Sequence, residues 1–476
     1  MSVTIVWFWN DLRVSDNPAL YHAAKRGRVL PVFIYAEDIG VRKLGSVKKW
    51  WLYKSLVSLN ETLKKYGVGL VIRTGFDAVS VLKELVREVK ADAVYWNRRF
   101  DPTMMARDEC VKKELISLGV KVECFDSFLL HDPNEILTST GKPYAVFTPF
   151  WKRLRKDVNV PRPLPSPERI QGVGVRVRSE KLEDLGFLPE FKRCEGLEEF
   201  WKVNEDAARE RLRRFVTSSL EGYERDRDFP YLDGTSLISP YLASGLISPR
   251  QVWYEVIGAS EGKSSKGVEA FLRSLAWREF SYHLLYHNPS MLEKSVKSIF
   301  ERFPWRLEKS EFYERWTAGL TGIPIIDAGM RQLRKVGWMH NRVRMIVASW
   351  LTKNLLFHWK LGEEWFWDTL VDADIANNVQ NWQWVAGCGI DPVPFFRVFN
   401  PILQSRKFDP KGVYIKKWLP ELEKFPSEYV HEPWKAPLSV LKRAGVELGK
   451  DYPLPMISVE ESGRTALELY KRLRKA

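Results

Sequence analysis

The stretch Leu52-Tyr53-Lys54-Ser55-Leu56-Val57-Ser58-Leu59-Asn60-Glu61-Thr62-Leu63 decides how the first part of the chain folds. Its leucines recur at i, i+4, i+7 and i+11, so they line one face of a helix that ends at Gly67. Short β-rich runs flank it at residues 30–36 and 70–74, and others lie at 4–9, 93–97 and 120–125. Strands alternating with amphipathic helices build βαβ units around a parallel sheet. A doubly wound parallel-sheet α/β domain is predicted for residues 1–130, with any ligand pocket beyond the carboxyl ends of its strands.

Downstream, Val160-Pro161-Arg162-Pro163-Leu164-Pro165-Ser166-Pro167 is neither helix nor central strand, because each Pro lacks an N–H and holds its predecessor extended. Residues 131–198 are predicted as an interdomain linker. Beyond residue 198 strand-like alternation fades. Phe200 to Leu220 and Gly267 to His287 carry helical patterns, so residues 199–476 are predicted as a mostly α-helical domain. There is no internal repeat.

Composition narrows the function. A chain of 476 residues holds two or three units at roughly 150 residues each. With 45% hydrophobic and 28% charged residues it is globular rather than disordered. The net charge of +14 and pI ≈ 9.4 point to a polyanionic partner, with DNA, RNA and anionic membrane all open at this level. Cys110, Cys124, Cys194 and Cys388 form no CxxC, which argues against a disulfide framework or a cysteine-bound metal and for a reducing compartment. No stretch approaches 18 uncharged apolar residues and no signal-peptide pattern opens the chain, so a cytoplasmic protein is expected. Twenty tryptophans are the anomaly.

Familiar catalytic motifs fail. Gly258-Ala259-Ser260-Glu261-Gly262-Lys263-Ser264 has one residue too few between its glycines for a phosphate loop and follows no strand. His283 and His287 have zinc-ligand spacing, but Leu284-Leu285-Tyr286 between them supplies no Glu base, and a packed pair is expected. Neither GxSxG nor GxGxxG occurs.

The informative residues run from Tyr223 to Leu422. Tyr223-Glu224-Arg225-Asp226-Arg227-Asp228-Phe229-Pro230 leads into Asp233-Gly234-Thr235-Ser236-Leu237-Ile238-Ser239-Pro240, a group of hydroxyls and backbone N–H groups suited to phosphate. Then follow Trp277-Arg278-Glu279-Phe280, Thr321-Gly322-Ile323-Pro324-Ile325-Ile326-Asp327-Ala328-Gly329-Met330-Arg331, and Trp338-Met339-His340-Asn341-Arg342-Val343-Arg344-Met345. Asp372-Ala373-Asp374 with Asn378, Trp382-Gln383-Trp384, and Phe395-Phe396-Arg397-Val398-Phe399-Asn400-Pro401 complete the series. In this order, and with the opening Trp9-Asn10-Asp11-Leu12-Arg13, the chain resembles the photolyase/cryptochrome family of blue-light flavoproteins over nearly its whole length.

The resemblance implies an antenna-binding α/β domain and a helical domain holding FAD, with light driving an electron from reduced FAD into a pyrimidine dimer flipped out of DNA. Such chemistry needs no protein nucleophile, because the cofactor carries the reaction. By the same resemblance Tyr223, Thr235, Ser236, Leu237, Ile238 and Ser239 hold the FAD phosphates and ribose. Arg278 and Arg344 line the flavin, Asp372 and Asp374 contact FAD, and Asn378 faces flavin N5. Trp277 and Trp384 sandwich the dimer, Asn341, Arg342 and Met345 face it, and Arg227 and Gln404 lie next to DNA. Trp382, Trp359 and Trp305 form an electron relay to the surface.

A second, antenna chromophore is expected near residues 45–52 and 97–102, as a deazaflavin, a flavin or a folate. The implied activity is repair of cyclobutane pyrimidine dimers in DNA by a monomer without metal or membrane. The alternatives are a cryptochrome-like photoreceptor with weak or no repair, and a (6-4) photolyase, whose branch usually has His where Asn341 and Met345 stand. One departure from the family stands out. Ser274 occupies the position where most dimer photolyases have a Glu that hydrogen-bonds the dimer.

Overall fold

The computed structural model describes residues 2–38, 40–188, 196–259, 265–390 and 396–475. Cys194, residues 260–264 of the phosphate-loop look-alike, and Phe395 lie outside the described residues. By contact density the chain forms two units. One comprises Met1–Glu190, Trp201–Glu221 and Ser236–Pro289, and the other Phe191–Phe200, Gly222–Thr235 and Ser290–Ala476.

The first unit is built on a parallel sheet. Strands β1 (Val3–Phe8), β2 (Arg28–Ala36), β3 (Val71–Gly75), β4 (Ala93–Asn97) and β5 (Lys121–Phe125) lie in the order β3-β2-β1-β4-β5. The order reverses at β1 and β4, the position where doubly wound sheets take their ligands, and Trp9 and Asn97 stand at the carboxyl ends of these two strands. Ile5, Trp7, Val32, Val94 and Trp96 pack against Leu82, Leu85, Val111 and Leu115, and this dry layer drives the assembly. The leucine-striped segment is the helix Ser46–Lys64, and Gly67 at φ +78 takes the turn behind it.

The stretch predicted as linker is more than that. Phe147–Asp157 is a helix burying Phe147, Phe150, Trp151 and Leu154, a spacing of i, i+3, i+4 and i+7 that the prolines nearby masked. A sixth strand, β6 (Gln171–Gly172), pairs with β2. Residues 131–188 are therefore part of the first unit. Residues 201–221 and 236–289 also join it, so the contact boundary does not fall at residue 199. Their helices include Glu205–Ser218, started by Asn204 accepting from the Ala207 N–H, and Lys266–His287.

The histidines of that last helix are packing residues. Their rings meet edge to face at 4.7 Å, and His283 Nε2 accepts the Tyr144 N–H at 3.0 Å. Burial pushes the His283 pKa down to about 3, so the ring stays neutral.

The second unit is helical. The helices Pro324–Val336, Asn341–Ser349, Trp359–Thr369, Ile375–Ala386 and Val459–Lys475 form it, with a π-helical turn at Trp350–Asn354. Asp327 is fully buried and accepts from the Thr321 N–H and Oγ1, the Gly322 N–H and the Tyr452 hydroxyl at 2.6–2.9 Å. Four donors offset the desolvation that raises its pKa, so the Thr321-to-Asp327 motif is a structural lock. The tryptophan excess is largely core. Trp7, Trp50, Trp51, Trp96, Trp316, Trp350 and Trp359 are wholly buried.

Among the described residues no group of His, Cys, Asp and Glu is arranged to hold a metal, and no helix is long and apolar enough to cross a membrane.

Gly245 ends a short helix at φ +68, and a Cβ there would stand 1.8 Å from the Asn10 carbonyl oxygen. Gly67 has φ +78 with nothing within 4 Å. Gly245→Ala is expected to cost at least about 2 kcal/mol more than Gly67→Ala, since both share the left-handed penalty of roughly 1 kcal/mol and only the first adds a backbone collision. Denaturant unfolding of both variants measures the difference.

Candidate functional site

In the second unit two helices share one contact. Asp374 caps Ile375–Ala386 by accepting from the Asn377 N–H at 2.9 Å and Nδ2 at 2.8 Å. One turn on, the Asn378 Nδ2 donates to the Glu363 carbonyl at 2.9 Å and to Glu363 Oε1 at 2.7 Å. With both amide hydrogens directed at Glu363, the Asn378 side chain presents its oxygen elsewhere. The next turn carries Trp382, whose indole lies over Gly362: a Cβ on that glycine would be 2.1 Å from Trp382 Cη2. Phe366 and Trp316 stand edge-on to Trp382 at 5.0 and 6.3 Å.

Trp359 begins the facing helix, fully buried, with Nε1 on Ser295 Oγ at 3.2 Å. Trp305 is half-buried and donates from Nε1 to the Phe300 carbonyl at 3.1 Å. The three predicted relay indoles thus occur in one unit, progressing from buried to half-exposed.

Arg344 is held by the Met339 carbonyl at 2.7 Å and by Asp372 at 2.8 Å. Asn341 and Met345 lie one turn apart on the same helix, with Nδ2 and Sδ 4.0 Å apart. Arg342 pairs with Asp228 at 2.8 Å and stacks on Phe408 at 4.3 Å, while Arg227 lies 5.8 Å over the ring of Tyr223. Trp384 and Gln404 are half-buried, and Gln404 follows the exposed Leu403. Thr235 closes the segment 222–235, in which a Cβ on Gly234 would sit 2.9 Å from the Asp226 carbonyl, so only Gly fits.

In the first unit Leu237 adopts φ +51, followed by Ile238 at φ −85. A left-handed residue followed by a right-handed one is the backbone order of an anion nest, here over Ser236–Ser239, with the Ile238 N–H also donating to Ser236 Oγ at 3.4 Å. A non-glycine residue held there costs about 1–2 kcal/mol, which suits a functional turn.

Arg278 pairs with the buried Glu279 at 2.8 Å and lies over Phe128 at 4.4 Å. Its Nη2 is buried with no partner among the described residues, a donor left for a ligand acceptor. Trp277 stacks on Phe147 with centroids 3.8 Å apart and planes 9° apart, so one indole face is covered and one remains. Ser274 donates its hydroxyl hydrogen to the Ala270 carbonyl at 3.1 Å, back along its own helix.

Residues expected around an antenna pocket are engaged internally. Arg99 pairs with Asp108 at 2.6 Å and lies 4.0 Å over Trp7, Asn97 bonds Asp11 at 2.6 Å, and Trp51 bonds Ser244 at 2.9 Å.

Sequence reasoning missed Glu363, Gly362 and Phe147. Each acts through a tertiary contact that local spacing does not encode.

Comparison with known proteins settles the family. Residues 4–168 match the DNA photolyase family model and residues 271–472 the model for the FAD binding domain of DNA photolyase. A deoxyribodipyrimidine photo-lyase of Agrobacterium fabrum is 47% identical over 99% of this chain and 98% of its own length. Cryptochrome-2 of Arabidopsis thaliana is 37% identical over 99% of this chain and 79% of its own. The chain belongs to the DNA photolyase and cryptochrome family.

Among solved structures, a bacterial class III photolyase from Agrobacterium tumefaciens superposes with TM-score 0.96 at 46% identity, covering 100% of this chain and 98% of that one. An archaeal photolyase from Sulfolobus tokodaii, described with two FAD molecules, superposes with TM-score 0.83 at 30% identity, over 99% and 100% of the two chains. The reading of the chain as a photolyase with a parallel-sheet domain and a helical FAD-binding domain therefore stands.

Proposed function

We propose that this photolyase repairs cyclobutane pyrimidine dimers in DNA with light, as a cytoplasmic monomer holding one non-covalent FAD. FAD, when bound, supplies the chemistry: it absorbs light and, in its reduced form, donates the electron that splits the dimer. The observation that carries the reading is the Asn378–Glu363 pair. Reduced flavin bears a proton on N5 and oxidised flavin does not. An amide whose hydrogens are taken by Glu363 offers N5 an acceptor, which favours the protonated, reduced form that repair requires.

The remaining donors fit the cofactor. Arg344, oriented by Asp372, supplies positive charge, and Asp374 is held at its helix cap. The nest at Ser236–Ser239 suits a diphosphate, Tyr223 and Thr235 add hydroxyls, and Arg278 offers its unpartnered Nη2. Relay transfer through Trp382, Trp359 and Trp305 resupplies electrons when FAD is oxidised.

DNA binding rests on the excess of 74 Lys+Arg over 60 Asp+Glu, with Arg227, Arg342 and Gln404 near phosphate. The resemblance assigns Trp277 and Trp384 to stacking on the flipped dimer and Asn341 and Met345 to its edge, and the Trp277 face away from Phe147 suits that role. Stacking of this kind is worth about 1–3 kcal/mol per base. Lesion preference follows because a damaged pair costs less to unstack.

A second chromophore, a deazaflavin, a flavin or a folate, is proposed for the first unit. The second FAD of the Sulfolobus tokodaii protein and the reversal of strand order at β1 and β4 support it. Ser274 favours one alternative reading, a photoreceptor with weak repair, because its hydroxyl hydrogen is committed to Ala270.

Purified protein is expected to release FAD on denaturation and to show a flavin band. No flavin before or after reconstitution would remove the basis of the proposal. Mass spectrometry with quantitation of the released ligands identifies the antenna, and one equivalent of FAD per chain with no other chromophore from every host would remove the second chromophore. Trp382→Phe is expected to abolish photoreduction of oxidised FAD while repair by chemically reduced protein persists. Ser274→Glu is expected to raise repair per absorbed photon severalfold, since a lost hydrogen bond of this kind costs about 1–3 kcal/mol. An unchanged yield would remove Ser274 as the limiting departure. Phe147→Ala is expected to weaken dark binding of dimer-containing DNA about tenfold by freeing Trp277, with little change for undamaged DNA.

A further inference from the structure

Among the described residues no ring contact joins Trp305 directly to Trp359. His358 is the ring common to both. Its imidazole stands edge-on to Trp305 at 5.8 Å and 89°, and lies 5.4 Å from Trp359 at 36°.

The placement is built into the backbone. Arg306 N–H donates to the Leu356 carbonyl at 2.7 Å and His358 N–H to the Arg306 carbonyl at 3.0 Å, lacing the chain beside Trp305 to the chain before Trp359. Leu356 takes φ +59 to make that crossing. His358 then caps the helix Trp359–Thr369: its Nδ1 accepts the Lys360 N–H at 3.2 Å, so the ring proton of the neutral tautomer sits on Nε2.

We propose that His358 is a positioning residue of the electron relay, a bridge that must be neutral for charge to leave Trp359 for Trp305. The inference rests on the relay reading of Trp382, Trp359 and Trp305. In the step concerned, Trp305 gives one electron to the Trp359 radical cation, Trp359 becomes neutral, and the positive charge moves to Trp305. No proton moves, because Trp359 Nε1–H stays on Ser295 and Trp305 Nε1–H on Phe300. With oxidised FAD bound, light would move one electron from Trp382 to the flavin, Trp359 would then reduce Trp382 and become the radical cation, and an external thiol would refill Trp305 by one-electron oxidation.

An imidazolium in this gap would raise the energy of a cation on either neighbouring indole. Trp382 meets the same helix a turn further on, at Gly362, so its cation would be disfavoured less. Charge would stay on Trp382 and recombine. Protonation would also remove the Nδ1 lone pair that caps Lys360. Burial holds the imidazole below its usual pKa, and Lys360 acts in the same direction. Glu301, from the Ser298–Arg302 segment, pulls the other way, and Arg306 is the charged residue on the laced strand. With the pKa lowered, the neutral form exists above it and is lost as pH falls through it.

The test uses the full chain loaded with FAD. Transient absorption follows the Trp305 radical after a flash, and NMR titration of His358 gives its pKa independently of any photochemistry. In the wild type the Trp305 radical yield should fall at least fivefold as pH drops through that pKa. His358→Gln should carry a yield without that pH dependence, and His358→Lys should be low at every pH. Repair by chemically reduced protein should be the same in all three, because the relay is not then used.

An identical pH profile in wild type and His358→Gln would overturn the proposal, as would a full yield in folded His358→Lys. If His358→Lys does not fold, the first comparison decides alone. Trp382→Phe separates the two levels of the argument. Photoreduction surviving in it overturns the relay and the bridge together, whereas its loss with inert His358 variants overturns the bridge only.

Discussion

The close approach of the helices Trp359–Thr369 and Ile375–Ala386 is the contact on which the proposed chemistry depends. Gly362 allows it, since any Cβ there would enter the Trp382 ring. That single approach sets Glu363 against Asn378 and lays Trp382 on the facing helix, whose first residue is Trp359. The amide proposed to face the flavin and the indole proposed as first electron donor are therefore positioned by one packing event. A core this dense keeps rings at fixed separations, which electron transfer needs more than it needs acids or bases.

Charge is handled by pairing rather than by titration. Arg344 is bound to Asp372 and Arg278 to Glu279, so each of the two cations proposed for the cofactor is oriented and partly neutralised within its own unit. His283 and His340 stay neutral, with His340 pushed down to about 4 by desolvation. The absence of hydrolytic motifs in the sequence agrees with this economy. What the chain contributes is geometry, polarity and exclusion of water around a cofactor.

The sheet was legible because its strands alternate with helices of strong periodicity, and Leu52, Leu56, Leu59 and Leu63 placed one helix to within a turn. The helix at Phe147–Asp157 was hidden by the prolines around it, and with it the ring that backs Trp277. Residues whose chemistry a motif advertises, such as Asn378 and Arg344, could be named from spacing and resemblance. Glu363, Gly362 and His358 could not. They act across helix contacts and a backbone crossing at Leu356, and nothing in Trp359-Lys360-Leu361-Gly362-Glu363 announces which side chain it will meet. Ser274 was visible only as a departure, and the structure adds that its hydroxyl hydrogen is spent on Ala270.

The central claim is that this chain converts absorbed light into splitting of a pyrimidine dimer. The direct measurement gives the protein, with its FAD chemically reduced, an oligonucleotide carrying one thymine dimer and counts restored thymines under blue light and in darkness. The account predicts repair that requires light, turns over, and proceeds equally well in different flanking sequences. No restored thymine under light, or equal restoration in the dark, would contradict it.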